Sequence, residues 1–294
     1  MSLHAASLPS GAPSVLGRLS EIADQYDALL CDVWGVVHDG THAHADAVHA
    51  LAQFRARRGP VILLSNAPRP AEDVEQQFAR LRVPKECYDS ILTSGMLARE
   101  DIEGRSAGRE LRLLHIGPER DRGIIRDLQV ICVAANEAEL VLCTGLYDDD
   151  AEKPDDYRVM LADLKARELV LLCANPDIVV QRGGKLIYCA GALARVYTEM
   201  GGDVVYYGKP HPPIYAAAKE RLRFAAGRDA LHILVLGDGI ETDIRGANGA
   251  GLDAVFIADG IHGEDIPDLT PAALVRFFAC AGVTAKGAMR KLVW

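Results

Sequence analysis

The stretch Ala28-Leu29-Leu30-Cys31-Asp32-Val33-Trp34-Gly35-Val36-Val37-His38-Asp39-Gly40 sets an acid directly behind four apolar residues. The apolar run is long enough for a buried strand, so Asp32 is expected at that strand's carboxyl end. In open parallel sheets ligands collect at that edge. Two residues on stands Trp34, a bulky aromatic beside the acid.

Working outward, apolar runs alternate with helix-length segments along the chain. Strands are expected at 28–31, 61–64, 111–116, 140–143, 170–173, 204–206, 233–236 and 254–257, and helices at 45–58, 71–81, 157–167, 191–200, 213–226 and 243–250. Strand, helix, strand repetition predicts an α/β fold with a parallel sheet. Between Arg105 and Lys185, three apolar runs are joined by acidic, turn-rich connections such as Asp148-Asp149-Asp150 and Lys153-Pro154-Asp155-Asp156, which predicts a second, inserted α/β unit. The triple Asp reads as a solvated loop, with a metal cluster as the alternative. The first fourteen residues, rich in Ser, Ala and Pro, read as a loose arm.

Three further strand ends carry polar residues of complementary type. Ser65-Asn66 follows the run 61–64 and offers a hydroxyl and an amide to phosphoryl oxygens. Gly208-Lys209-Pro210 follows 204–207 and holds a lysine between a permissive and a rigid residue. Gly237-Asp238-Gly239-Ile240-Glu241-Thr242-Asp243 follows 233–236 and supplies carboxylates suited to a hard cation. With Asp32 these make a nucleophile, an oxygen-binding pair, a compensating cation and an Mg²⁺ site. A carboxylate attacking a phosphoryl group brings two anions together, so charge must be neutralised first. Mg²⁺ takes six oxygen ligands and keeps several waters. The expected ligands are Asp32, Asp238 and the Trp34 carbonyl, with Asp243 acting through water or as an orienting group.

Composition narrows the classes. The 294 residues are 49% hydrophobic and 25% charged, enough for one large domain or two smaller ones. With 32 Lys and Arg against 41 Asp and Glu, the net charge is −9, and no basic stripe is present, which argues against a nucleic-acid surface. The seven cysteines (Cys31, Cys87, Cys132, Cys143, Cys173, Cys189, Cys280) lack paired metal spacing, and several lie in apolar runs. They read as buried reduced thiols of a cytoplasmic protein. No run reaches the roughly 20 apolar residues of a membrane span, and the N-terminus lacks the order of a secretory signal.

Asp32 with Gly35, Ser65-Asn66, Gly208-Lys209-Pro210 and Gly237-Asp238-Gly239…Thr242-Asp243 resemble, in order and separation, the four motifs of the haloacid-dehalogenase superfamily. The insertion between the second and third motifs resembles the class IIA branch, the NagD-like phosphatases. Ala174-Asn175-Pro176-Asp177 followed by Gly191-Ala192-Leu193 is similar to that branch's cap loop and return. The resemblance runs from about Tyr26 onward. It implies a Rossmann-like core over 1–106 and 188–294 and an inserted C2-type cap over 107–187. It further implies an Mg²⁺-dependent hydrolase, a phosphatase of small phosphorylated metabolites such as sugar phosphates or nucleotides. In that reading Asp32 forms an aspartyl-phosphate, Ser65 bonds the transferring group and Lys209 steadies both. Asp238 and Asp243 are the acidic pair of the metal site, and Asn66, Asn175 and Asp177 meet the substrate. Cap contacts between subunits would make it a homo-oligomer.

Trp34 departs from the pattern. Most phosphatases of the superfamily resemble Asp-x-Asp here, the second Asp protonating the leaving alcohol and then activating water. Such assistance is worth roughly 10² to 10⁴ in rate. Three readings follow: acid and base come from elsewhere, with His38, Asp39 and His42 close in sequence; the substrate has a good leaving group, as an acyl or enol phosphate does; or the protein is a phosphate-ligand-binding or regulatory protein with little turnover. A metal-independent dehalogenase, which attacks carbon and needs no such acid, fits the Asp238 and Asp243 pair poorly.

Bland readings stand beside these. Lys209 alone would read as a surface lysine, and Ser65-Asn66 alone as a helix cap. His38, His42, His44 and His49 mix loop and helix spacings, so solvated or structural histidines are expected rather than a metal cluster. Trp34 itself could be an apolar plug beneath the cap.

Overall fold

A computed structural model describes residues 12–182, 185–260, 266 and 268–294. Its strands are β1 (Ser14–Val15), β2 (Ala28–Asp32), β3 (Val61–Ser65), β4 (Ser90–Thr93), β5 (Leu111–Ile116), β6 (Val130–Cys132), β7 (Leu140–Cys143), β8 (Leu171–Cys173), β9 (Val179–Arg182), β10 (Lys185–Tyr188), β11 (Val204–Tyr206), β12 (Ile233–Gly237), β13 (Asp253–Ile257) and β14 (Gly287–Met289). Its α-helices are α1 (Ala45–Arg57), α2 (Ala71–Leu81), α3 (Ser94–Ser106), α4 (Arg158–Ala166), α5 (Ala190–Glu199), α6 (Pro212–Ala226), α7 (Arg245–Gly249) and α8 (Pro271–Ala281). The expected alternation is there, and the fold is α/β with parallel sheets.

The chain divides into two compact units, one of residues 1–64, 80–90 and 218–294, the other of 65–79 and 91–217. In the first, the sheet runs β1-β14-β13-β12-β2-β3, with every pair parallel. Every residue of β2 and of β12 is buried, which explains why both read as unbroken apolar runs and not as alternating ones. Leu29, Leu30, Leu51, Phe54, Ile62 and Phe256 fill this core. The sheet grows from β2 to β3 on one side and from β12 to β13 on the other. The order therefore reverses between β2 and β12, and a crevice opens at such a point.

In the second unit a parallel sheet runs β11-β8-β7-β5-β6, and an antiparallel pair joins β9 to β10. Leu114, Val141, Leu161, Leu171, Leu193 and Tyr197 belong to its core, where α4 and α5 pack on the sheet. This sheet extends past residue 187 to β11, because Val204, Val205 and Tyr206 pair in register with Leu171, Leu172 and Cys173, and α5 packs against it.

Several elements went unread in the sequence. Thr93 caps α3 by accepting from Met96 N at 3.1 Å, and Thr270 with Pro271 opens α8, which closes on Gly282 at φ +64°. The arm was expected to be loose over the first fourteen residues. Residues 1–11 lie outside the described ones, while Ser14 and Val15 pair with Gly287 and Ala288 as β1. Five cysteines are buried as expected, but Cys132 and Cys280 are exposed, and all seven are free thiols. No described helix is long and apolar enough to cross a membrane.

Candidate functional site

In the first unit the register does the positioning. Leu236 of β12 pairs with Cys31 of β2, so Asp32 and the Gly237-Asp238 step emerge at the same carboxyl edge. A five-residue helical turn, Ile240–Ile244, then returns Asp243 to that edge. Ligand oxygens of Asp32, Asp238 and Asp243 lie within 4.8 Å of one another. The three residues are 8%, 5% and 1% exposed. Bringing three carboxylates together away from water is unfavourable without a cation, so the donor set suits a hard divalent ion.

The glycines of this region leave room for those carboxylates. A Cβ on Gly35, where φ is +84°, would lie 2.1 Å from Asp238 Oδ2, and one on Gly260 would lie 2.0 Å from the same atom. A Cβ on Gly237 would lie 2.2 Å from Asp243 Cγ. Asp243 Oδ2 accepts from Gly239 N at 3.1 Å and from the Thr242 hydroxyl at 3.3 Å, and Asp32 Oδ1 accepts from Val33 N at 2.7 Å. The residues present fit a metal ion.

Trp34 lies in the loop that follows Asp32 and is half-buried. Its indole meets the His38 ring edge-on at 5.4 Å, and a Cβ on Gly40 would lie 2.4 Å from Trp34 Cη2. His38, buried, accepts from Gly40 N through Nδ1 at 2.9 Å. Asp39 Oδ1 accepts from Thr41 N, the Thr41 hydroxyl and His42 N at 2.8, 2.6 and 2.7 Å. The Thr41 hydroxyl bond, above all, holds the Asp39 carboxyl below the usual carboxylate range. The Thr41 hydroxyl and His42 Nδ1 are 2.9 Å apart, and His44 Nδ1 lies 3.0 Å from the Val36 carbonyl. Among the described residues these histidines form no metal group.

The second unit brings together Asn66, Lys209 and Asp177. Asn66 Oδ1 accepts from Lys209 N at 2.7 Å, while its Nδ2 donates to the Lys209 carbonyl at 3.0 Å and to Asp177 Oδ1 at 2.8 Å. Lys209 is 2% exposed. A Cβ on Gly208 would lie 2.3 Å from Asn66 Oδ1 and 2.7 Å from Pro176 Cδ, so glycine is needed for that close approach. Asn175 Oδ1 accepts from Asp177 N at 3.1 Å, and its carbonyl accepts from Gly191 N at 2.8 Å, closing the loop on the start of α5. Ser65 Oγ accepts from Ala67 N at 3.2 Å.

Sequence reading passed over Thr93 and Ser94. Both are fully buried. Ser94 Oγ donates to the Ala67 carbonyl at 3.2 Å and to the Ala174 carbonyl, tying the Ser65-Asn66 loop to the end of β8. Thr93 donates to the Arg69 carbonyl at 2.6 Å. Ile91-Leu92-Thr93-Ser94, an apolar pair ending in hydroxyls, was the available signal, too short to stand out as a strand.

Elsewhere in this unit Asp148, Asp149 and Asp150 gather their carboxylates within 4.8 Å. Asp149 pairs with Arg120 and Asp150 with Lys185 at 3.3 Å, so this acidic loop is ion-paired. His115 is buried beside Thr144, 2.8 Å from its hydroxyl, and burial pushes its imidazole down to about 4. Burial pushes the Asp121 carboxyl up to about 6, with Arg120 and Arg69 opposing and Asp149 and Asp73 adding to the rise.

A family model described as haloacid dehalogenase-like hydrolase matches residues 26–251. D-glycerol 3-phosphate phosphatase of Mycobacterium tuberculosis is 29% identical over 83% of this chain, which spans 66% of that protein's length. Ribonucleotide monophosphatase NagD of Escherichia coli is 24% identical over 83% of this chain and 92% of its own. The crystal structure of a haloacid dehalogenase-like hydrolase from Brucella suis superposes with a TM-score of 0.83 at 42% identity, covering 95% of this chain and all of the other. A glycerol phosphate phosphatase from M. tuberculosis in complex with magnesium superposes with a TM-score of 0.61 at 26% identity, covering 82% and 70%.

Proposed function

Since this chain belongs to the haloacid dehalogenase-like hydrolase family, in its NagD-like class IIA branch, we propose that it is an Mg²⁺-dependent phosphatase of a small phosphorylated metabolite. The observation that carries this reading is the buried group Asp32, Asp238 and Asp243 at one sheet edge. Asp32, Asp238, Asp243 and the Trp34 carbonyl hold the ion, which when bound offsets the charge of the phosphoryl group. Asp32 attacks phosphorus and forms an aspartyl-phosphate, which water then hydrolyses. Ser65 bonds a phosphoryl oxygen, Asn66, expected to do the same, spends its amide on Lys209 and Asp177, and Lys209 neutralises charge as the transferring group moves. Asn175 and Asp177 meet the rest of the substrate, on an inserted cap whose sheet runs beyond the expected 107–187 to include β11.

The relatives' names, a D-glycerol 3-phosphate phosphatase, a ribonucleotide monophosphatase and an acid sugar phosphatase, support a small phosphorylated metabolite as the substrate without fixing its leaving group. Five buried free thiols support a reducing, cytoplasmic setting, and a homo-oligomer is part of the same proposal. Purified protein with Mg²⁺ should release phosphate from a panel of phosphate esters and acyl phosphates, and Asp32→Asn should not. Turnover absent from the whole panel, or unchanged in the variant, removes the assignment.

Trp34 supports one second reading, a phosphate-binding protein with little turnover. It requires saturable binding of a phosphorylated compound with Mg²⁺ and no product.

A further inference from the structure

Neither step of the proposed reaction finds its proton carrier at residue 34. An indole N–H donates a hydrogen bond but does not give up its proton to a leaving group. Each nearby titratable side chain of the same loop makes at least one contact inside the loop. His38 accepts the Gly40 N–H at Nδ1, and Asp39 is ionised under three donated bonds. His42 contacts the Thr41 hydroxyl and His44 the Val36 carbonyl. Trp34 packs between His38 and Gly40, so its ring is part of the same folded loop.

Resting on the phosphatase reading above, we infer that this enzyme acts on phosphorylated compounds whose leaving group departs as a weakly basic anion, an acyl, enol or aryl phosphate, and that its aspartyl-phosphate accumulates during turnover. In the first step an Asp32 carboxylate oxygen bonds to phosphorus as the bond from phosphorus to the leaving oxygen breaks. The electron pair leaves with that oxygen, as a carboxylate, enolate or aryloxide, and no proton is required. An alkoxide is far too basic to leave in this way. In the second step the oxygen of water bonds to phosphorus, the bond from phosphorus to Asp32 breaks, and the carboxylate is restored. The two protons of the water stay with the released dihydrogen phosphate or pass to solvent. With an indole and no carboxylate at residue 34 to take a proton from that water, the second step is slow relative to expulsion of a good leaving group.

The test uses the full-length enzyme with Mg²⁺ and the probes acetyl phosphate, phosphoenolpyruvate, 4-nitrophenyl phosphate, glycerol 3-phosphate and ribose 5-phosphate. kcat/KM should fall steeply as the leaving group becomes more basic, leaving the two alkyl phosphates roughly 10² to 10⁴ below the rest. Rapid mixing with 4-nitrophenyl phosphate should release a burst of nitrophenolate equal to the active enzyme. The order among the activated probes identifies whether acyl, enol or aryl oxygen is preferred. Trp34→Asp should raise alkyl phosphate turnover by a factor in the same range and abolish the burst; the wild-type series and burst decide the matter if that variant does not fold. Alkyl phosphates cleaved as fast as acetyl phosphate, with no burst, overturn the inference and leave the phosphatase assignment standing. Failure of every probe removes both.

Discussion

Asn66 grips Lys209 through both of that residue's peptide groups, accepting from its N–H at 2.7 Å and donating to its carbonyl at 3.0 Å. The backbone of the lysine is thereby fixed at both of its peptide groups. Asn66→Ala strands a buried donor and a buried acceptor, each costing about 1–3 kcal/mol. Urea denaturation of the variant should show a loss of about 2–6 kcal/mol, and the Gly208→Ala variant, which drives a Cβ into Asn66 and Pro176, a comparable one. Wild-type stability in Asn66→Ala would show that the clamp holds nothing.

The acidic group predicts a reversal of order with metal. Asp32, Asp238 and Asp243 repel one another when no cation is bound, so Asp238→Asn should be at least as stable as wild type in EDTA. With Mg²⁺ at a hundred times its Kd, wild type gains about 2.7 kcal/mol and the variant much less. Thermal denaturation with and without Mg²⁺ reads both. Gly35→Ala and Gly260→Ala, which press on Asp238 Oδ2, should lose the Mg²⁺-dependent gain as well.

His115 predicts acid sensitivity. Its imidazole falls from the ordinary 6.5 to about 4 because burial disfavours the charged ring. The unfolded chain therefore takes up this proton first. The contribution is fully present above pH 6.5 and is lost as pH falls toward 4, amounting to about 3 kcal/mol at most. In His115→Gln, stability measured from pH 7 to 4 should fall less steeply than in wild type.

Asp121 predicts the opposite slope. Burial raises its carboxyl from 3.8 to about 6, so the folded chain holds this proton more tightly. The contribution is fully present below pH 3.8 and is lost as pH rises through 6, about 3 kcal/mol at most. Asp121→Asn should therefore be more stable than wild type at pH 7.5 and no more stable at pH 3.8. Equal gains at both values would exclude the carboxyl as the cause.

The two slopes oppose one another between pH 4 and 6, so the wild-type curve alone hides both. Neither group was visible as a titrating residue in the sequence, because burial is set by what the fold packs around it. His115 lies in an ordinary apolar strand and Asp121 in a charged run.

What the sequence by itself determined is the α/β alternation, the strand ends and the chemistry waiting at them. Runs such as Leu29-Leu30-Cys31 and Leu234-Val235-Leu236 are apolar throughout because parallel strands are covered on both faces, a signal carried by consecutive residues. Asp32 and Asp238 could be placed at strand ends for the same reason. Their meeting within 4.8 Å, with Asp243 beside them, depends on β12 pairing with β2 across some two hundred residues of chain, and on Gly35 and Gly260 leaving space for a carboxylate. The Asn66 clamp on Lys209, the Ser94 tie to Ala174 and the commitment of His38 and Asp39 to their own loop were likewise decided by tertiary structure. Hydrogen bonds and close approaches between distant residues follow from register and packing, and no local pattern encodes them.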